Sequence, residues 1–119
     1  MFTQKILIVD DSAFMRKVLR DIFESAGYTQ FIEAGNGREA IEKFRTDKPD
    51  FIFLDVIMPD MNGMDVLKEI GHEAKVIVIS AVGQKDMIEQ AKSLGALDYV
   101  VKPFERDIVL EKAAKYLKK

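Results

Sequence analysis

Four places in the chain present side chains that could act together on phosphorus or a metal ion: Asp10-Asp11, Asp55, Ser80 and Lys102. Each directly follows a short apolar run. Ile6-Leu7-Ile8-Val9 leads into the acidic pair, Phe51-Ile52-Phe53-Leu54 into Asp55, Val76-Ile77-Val78-Ile79 into Ser80, and Tyr99-Val100-Val101 into Lys102-Pro103. If the runs lie side by side, three carboxylates come within about 5 Å and repel by roughly 3 kcal/mol per pair at an effective dielectric near 20. A cation must offset that cost. Oxygen ligands without His or Cys suit Mg2+, which takes one or two carboxylates and leaves its other positions to water or phosphate. Lys102 adds a fixed positive charge. A carboxylate beside such an ion and a lysine, with a hydroxyl donor opposite, meets the requirements of phosphoryl transfer, and Asp55 is the candidate nucleophile.

The runs that carry these groups read as strands, by their length and their β-branched and aromatic content, and Phe31-Ile32 makes a fifth. Between them lie helical spacings. Met15, Val18, Leu19, Ile22, Phe23 and Ala26 follow the i, i+3, i+4, i+7 rule of one buried face, with Asp11 or Ser12 as cap and Gly27 as stop. Further helices are expected from Arg38 to Thr46, Gly63 to Ile70, Asp86 to Leu94 and Glu105 to Leu117. Such alternation predicts an α/β fold of parallel strands joined by right-handed crossovers, with helices on both faces. The first, third and fourth runs are solidly apolar, as strands buried on both faces must be. Phe31-Ile32-Glu33 and Asp98-Tyr99-Val100 carry polar groups and read as edges, giving the order 2-1-3-4-5. In such sheets ligands bind at the carboxyl ends of the strands, where the candidate groups converge.

Composition narrows the classes. With 119 residues, 48% of them hydrophobic, the chain is read as one domain spanning residues 1–119. It has no cysteine, so disulfides, thiolate metal sites and a cysteine nucleophile are excluded. Neither a signal-peptide pattern nor a membrane-length apolar run is present, and a cytoplasmic location without membrane contact is expected. A net charge of −2 disfavours direct nucleic-acid binding.

Every candidate has a plainer reading in isolation. Asp10-Asp11-Ser12 could simply cap a helix, Ser80 could be a strand-end hydroxyl, and Lys102 a solvated turn lysine; their joint placement reverses the odds. Asn62-Gly63 after Met58-Pro59 reads as a turn and helix start, and His72 as a solvated loop residue. Met15, Met58, Met61, Met64 and Met87 read as packing. Lys112, Lys115, Lys118 and Lys119 read as a solvated helix face. Phe14 is open to two readings, a partner contact or partial packing under a loop. Tyr99 reads by composition as packing on an edge strand.

The runs I-L-I-V-D-D (Ile6–Asp11), F-L-D-V-I-M-P-D-M-N-G (Phe53–Gly63), Ser80-Ala81 and G-A-L-D-Y-V-V-K-P-F (Gly95–Phe104) together resemble the response-regulator receiver domain over essentially the whole chain. The resemblance implies a flavodoxin-like sheet and the stand-alone form found among chemotaxis regulators, a monomer. It implies that Asp55 accepts a phosphoryl group from a histidine kinase, a chemotaxis kinase being favoured. Mg2+ would be held by Asp11, Asp55 and the backbone carbonyl of Ile57, and by Asp10 through water. Ser80 and Lys102 would bind the acyl phosphate, and Lys102-Pro103 would be a cis peptide. Ser80 and Tyr99 would form the switch read by a downstream target such as the flagellar motor switch or its adaptor. Ser80 stands where Thr is common in the family, and its missing methyl loosens the steric coupling to Tyr99. Apolar Ile57 and Val82, at two positions bordering the phosphate, could not position a hydrolytic water, so slow self-dephosphorylation is expected.

Three other functions share part of this pattern. A Mg2+-dependent aspartyl phosphohydrolase of the haloacid-dehalogenase type would carry Asp-x-Asp after its first strand and a cap domain. A flavin or nucleotide binder would need a Gly-rich or hydroxyl-rich phosphate loop where Asp10-Asp11-Ser12 stands. The receiver of a longer transcription regulator would share every motif named. The reading adopted is a signalling switch that catalyses its own modification and is not a conventional enzyme.

Overall fold

The structure is a computed structural model describing residues 2–58, 63–81 and 83–116. Expectations at Pro59 to Asn62, Met61 among them, and at Val82, Leu117, Lys118 and Lys119 lie outside the described residues. Strands β1 (Phe2–Val9), β2 (Tyr28–Ala34), β3 (Phe51–Asp55), β4 (Val76–Ser80) and β5 (Asp98–Val101) alternate with helices α1 (Ala13–Ser25), α2 (Gly37–Asp47), α3 (Gly63–Ile70), α4 (Lys85–Ser93) and α5 (Arg106–Tyr116). All strand pairings are parallel, in the order β2-β1-β3-β4-β5. The predicted sheet is therefore observed.

Alternation along each strand divides the core into two layers, because successive side chains point to opposite faces. Leu7, Val9, Ile52, Leu54, Val76 and Val78 pack with Ala40, Val66, Leu67, Ile70 and Ala91 of α2, α3 and α4. Ile6, Ile8, Phe51, Phe53, Ile77, Ile79 and Val100 pack with Leu19 and Phe23 of α1 and Val109 and Ala113 of α5. Phe23, Phe51 and Phe53 stack at centroid separations of 4.7 and 4.9 Å, giving the second layer an aromatic centre. β3 and β4 are buried throughout, so the strand ends that bear Asp55 and Ser80 stand on the enclosed centre of the sheet.

Several local expectations are refined. Ser12, not Asp11, caps α1, its hydroxyl accepting from the Met15 N–H at 3.2 Å. Gly27 has φ +105°, the left-handed geometry expected after the helix. β1 and β2 are longer than their apolar runs, because parallel pairing such as Lys5 with Gln30 needs backbone groups and not apolar side chains. His72 is an exposed turn residue, as expected. Met58 and Met64 are buried, and Met15 and Met87 half-buried. Among the described residues no helix is long and apolar enough to cross a membrane.

Lys112 departs from the solvated face expected for it. Its ammonium donates to Asp98 at 3.0 Å, tying α5 to β5, while the other Asp98 oxygen accepts from the Tyr99 N–H at 2.8 Å. Burial alone would raise the Asp98 carboxyl, but the Lys112 hydrogen bond, the Tyr99 amide and the charges of Lys112 and Lys92 outweigh it and hold the carboxyl below its ordinary value. A depressed carboxyl stabilises the fold above its unfolded-state pKa, and that stabilisation disappears as pH falls through the folded-state value. Lys112→Met is expected to lower stability near neutral pH by up to about 1 kcal/mol for this partly exposed pair, and the difference from the parent should vanish in acid. Urea unfolding across pH measures it.

Candidate functional site

The carboxyl ends of β1, β3, β4 and β5 bring Asp10, Asp11, Asp55, Ser80 and Lys102 to one edge of the sheet, as the sequence predicts. Carboxylate oxygens of Asp10, Asp11 and Asp55 lie within 4.8 Å of one another. Asp10 and Asp55 are buried, at 2% and 5% exposure, whereas Asp11 is open to solvent. Lys102 bridges the buried pair, donating to Asp10 Oδ2 at 3.0 Å and Asp55 Oδ2 at 3.2 Å. Register explains its reach. Ser80 pairs with Val101, and the Lys102 N–H donates to the Ser80 carbonyl at 2.8 Å, so the lysine starts beside β4 and extends across β3 toward β1. The Lys102-Pro103 peptide is cis, as the resemblance implies.

Asp55 Oδ1 accepts the Ile57 N–H at 2.9 Å, which fixes the carboxylate's rotation and places Ile57, whose carbonyl is the expected fourth ligand, at the edge of the cluster. Burial pushes the Asp55 carboxyl above its ordinary value. The Ile57 amide and the Lys102 charge pull it back, and the Asp10 charge adds to the rise. For Lys102, burial acts to lower the ammonium's value, but its bond to Asp10 and the charges of Asp55 and Asp10 prevail and raise it. One ammonium thus faces three carboxylates. An all-oxygen donor set with excess negative charge, half buried and half open, is the chemistry a small hard divalent ion takes, and Mg2+ fits it.

Ser80 is fully buried at the end of β4. Tyr99 pairs with Val78 and is buried in the layer beneath α4, the packed setting that composition predicts for it. Phe14 is 73% exposed, so of its two readings the packed one is excluded. The Ile57 side chain is 51% exposed at the mouth of the site.

Arg16 was not singled out by its spacing. Its guanidinium donates from Nη1 to the Asp10 carbonyl and from Nε to Glu33 Oε1, the latter at 2.9 Å. The available signal was its position near the N-terminal end of α1, where the helix dipole disfavours a cation and some other partner must compensate.

Comparison with known proteins agrees with this geometry. The response regulator receiver domain, as a sequence family, matches residues 6–114. The chain is 50% identical over 111 residues to the chemotaxis protein CheY of Thermotoga maritima, spanning 91% of this chain and 92% of that one. It is 45% identical over 116 residues to the chemotaxis protein CheY of Bacillus subtilis, spanning 95% and 97%. Among solved structures, the CheX-CheY-BeF3-Mg2+ complex from Borrelia burgdorferi superposes with a TM-score of 0.91 at 36% identity, covering 98% of this chain and 90% of that one.

Because its surroundings disfavour the ionised form of Asp55, replacing it by a neutral isostere should stabilise the metal-free fold. Asp55→Asn is expected to raise the urea midpoint at neutral pH in the presence of a chelator. A lower midpoint would mean that the bond to Lys102 outweighs burial and repulsion.

Proposed function

We propose, from the premise that this chain belongs to the response regulator receiver domain family, that it is a phosphorylation switch in which Asp55 accepts a phosphoryl group from a histidine kinase. The observation that carries the reading is the buried Asp55 carboxylate, 3.2 Å from Lys102 inside an all-oxygen acidic cluster. An Asp55 oxygen attacks phosphorus in line, the bond from phosphorus to the donor's imidazole nitrogen breaks, and the imidazole leaves with the electron pair and takes up a proton. Asp11, Asp55 and the Ile57 carbonyl would hold Mg2+, with Asp10 close by. Bound there, the ion would supply positive charge against the oxygens of the transferred group. Lys102, already directed at Asp55, provides an ammonium, and Ser80 a hydroxyl at the neighbouring strand end.

The product at Asp55 carries more negative charge and three acceptor oxygens, which compete with Asp10 for Lys102 and attract the Ser80 hydroxyl. Tyr99, one strand over from Ser80's, is the side chain placed to respond. For one covalent group to shift the population, the two conformations must differ by only a few kcal/mol. The surface formed by α4, β5 and α5 is then the one a partner reads. A role in chemotaxis, with a chemotaxis kinase upstream and the flagellar motor switch or its adaptor downstream, is supported by near-complete alignment with two chemotaxis proteins. The protein would modify itself and turn over no separate substrate.

Intact-mass measurement with a small phosphodonor and Mg2+ is expected to show one added phosphate, lost in Asp55→Asn and lost when a chelator replaces the ion. A phosphate that persists in the variant would overturn the assignment. The apolar Ile57 side chain at the mouth offers a hydrolytic water no polar partner, so the modified form should be long-lived. Ile57→Asn is expected to shorten its lifetime severalfold, read as the decay of the phosphorylated mass after the donor is removed.

A further inference from the structure

We propose that Arg16 is a positioning residue for the acidic pair, holding the peptide between Asp10 and Asp11 so that Asp11 presents its carboxylate to Asp10 and Asp55; this rests on the reading of that cluster as the Mg2+ site. Asp10 is pinned from four directions. Its N–H donates to the Ala34 carbonyl at 3.2 Å, Oδ1 accepts from the Ser12 N–H at 2.9 Å, Oδ2 accepts from Lys102 at 3.0 Å, and its carbonyl accepts from Arg16. Only the last of these acts on the peptide unit that leads into Asp11. The Asp11 carboxylate is exposed and has no hydrogen-bond partner among the described residues, so what the structure fixes is the backbone from which its side chain departs. Whatever fixes that peptide fixes the point from which the ligand reaches the cluster.

Arg16 is built for the task. Its side chain is only 18% exposed, and the guanidinium is held on its other edge by Glu33, which β2 places opposite Ile8 in the register with β1. A Cβ at Gly35 would stand 3.4 Å from Arg16 Nη1, so the chain after β2 closes over the group. The planar fork thus links α1, β2 and the end of β1, with one arm on a carboxylate and the other on the carbonyl, an arrangement a point-like ammonium reproduces poorly. Outer contacts of this kind orient the groups that touch a metal, and their loss typically weakens metal binding ten- to a hundredfold.

The sign of the effect separates positioning from simple charge. A cation near a cation site repels its occupant, so if Arg16 acted only through charge, its removal would tighten Mg2+ binding. If it acted only on the fold, its removal would lower the unfolding temperature and leave the affinity of the folded protein unchanged. Isothermal titration of Mg2+ into the parent, Arg16→Met and Arg16→Lys, paired with thermal unfolding in chelator, distinguishes these cases. Arg16→Met is expected to bind Mg2+ about tenfold more weakly while still unfolding cooperatively. Arg16→Lys, which keeps charge and stem and serves alone if the Met variant does not fold, is expected to bind severalfold more weakly. Unchanged or tighter binding by the folded variant tested would overturn the proposal. Absence of Mg2+ uptake by the parent would instead overturn the metal-site reading beneath it.

Discussion

One lysine shared between two buried carboxylates is the interaction on which the rest of this site depends. Asp10 and Asp55 stand on adjacent strands, and without Lys102 their mutual repulsion would act in surroundings far less polarisable than water. With it, the pair is tolerated but not neutralised, since exposed Asp11 adds a third negative group within 4.8 Å. The result is a site that is stable enough to be built and still anionic enough to attract a divalent ion.

The fold is organised to hold that imbalance. β3 and β4 are enclosed by two apolar layers, one of them centred on Phe23, Phe51 and Phe53. The polar groups of the site gather at the carboxyl ends of the strands, where backbone N–H groups of Ser12 and Ile57 and the side chains of Lys102 and Arg16 meet the acidic residues. The same economy recurs at the far edge of the sheet, where Asp98 takes both the Tyr99 amide and Lys112 and so couples α5 to the strand carrying Tyr99.

Much of this was legible in the residues themselves. Solidly apolar runs marked the inner strands and mixed runs the edges, because a strand covered on both faces can expose no polar side chain, and the strand order followed. Residues at strand ends are positioned by the sheet alone, so Asp10, Asp55, Ser80 and Lys102 could be grouped before any distance was known. Where pairing runs on backbone groups, as at Lys5 and Gln30, side-chain character gave no signal and β1 and β2 were read too short.

Types and spacing by themselves determined the sheet order, the acidic cluster and its bridging lysine, because each follows from periodicity or from a position at the carboxyl end of a strand. Tertiary structure alone decided the rest: that Phe14 faces solvent, that Lys112 is paired with Asp98, and that Arg16 reaches both Glu33 and the Asp10 carbonyl. The physical reason is reach. A long flexible side chain chooses its partner by where a distant segment happens to lie, and no local pattern along the chain records that distance.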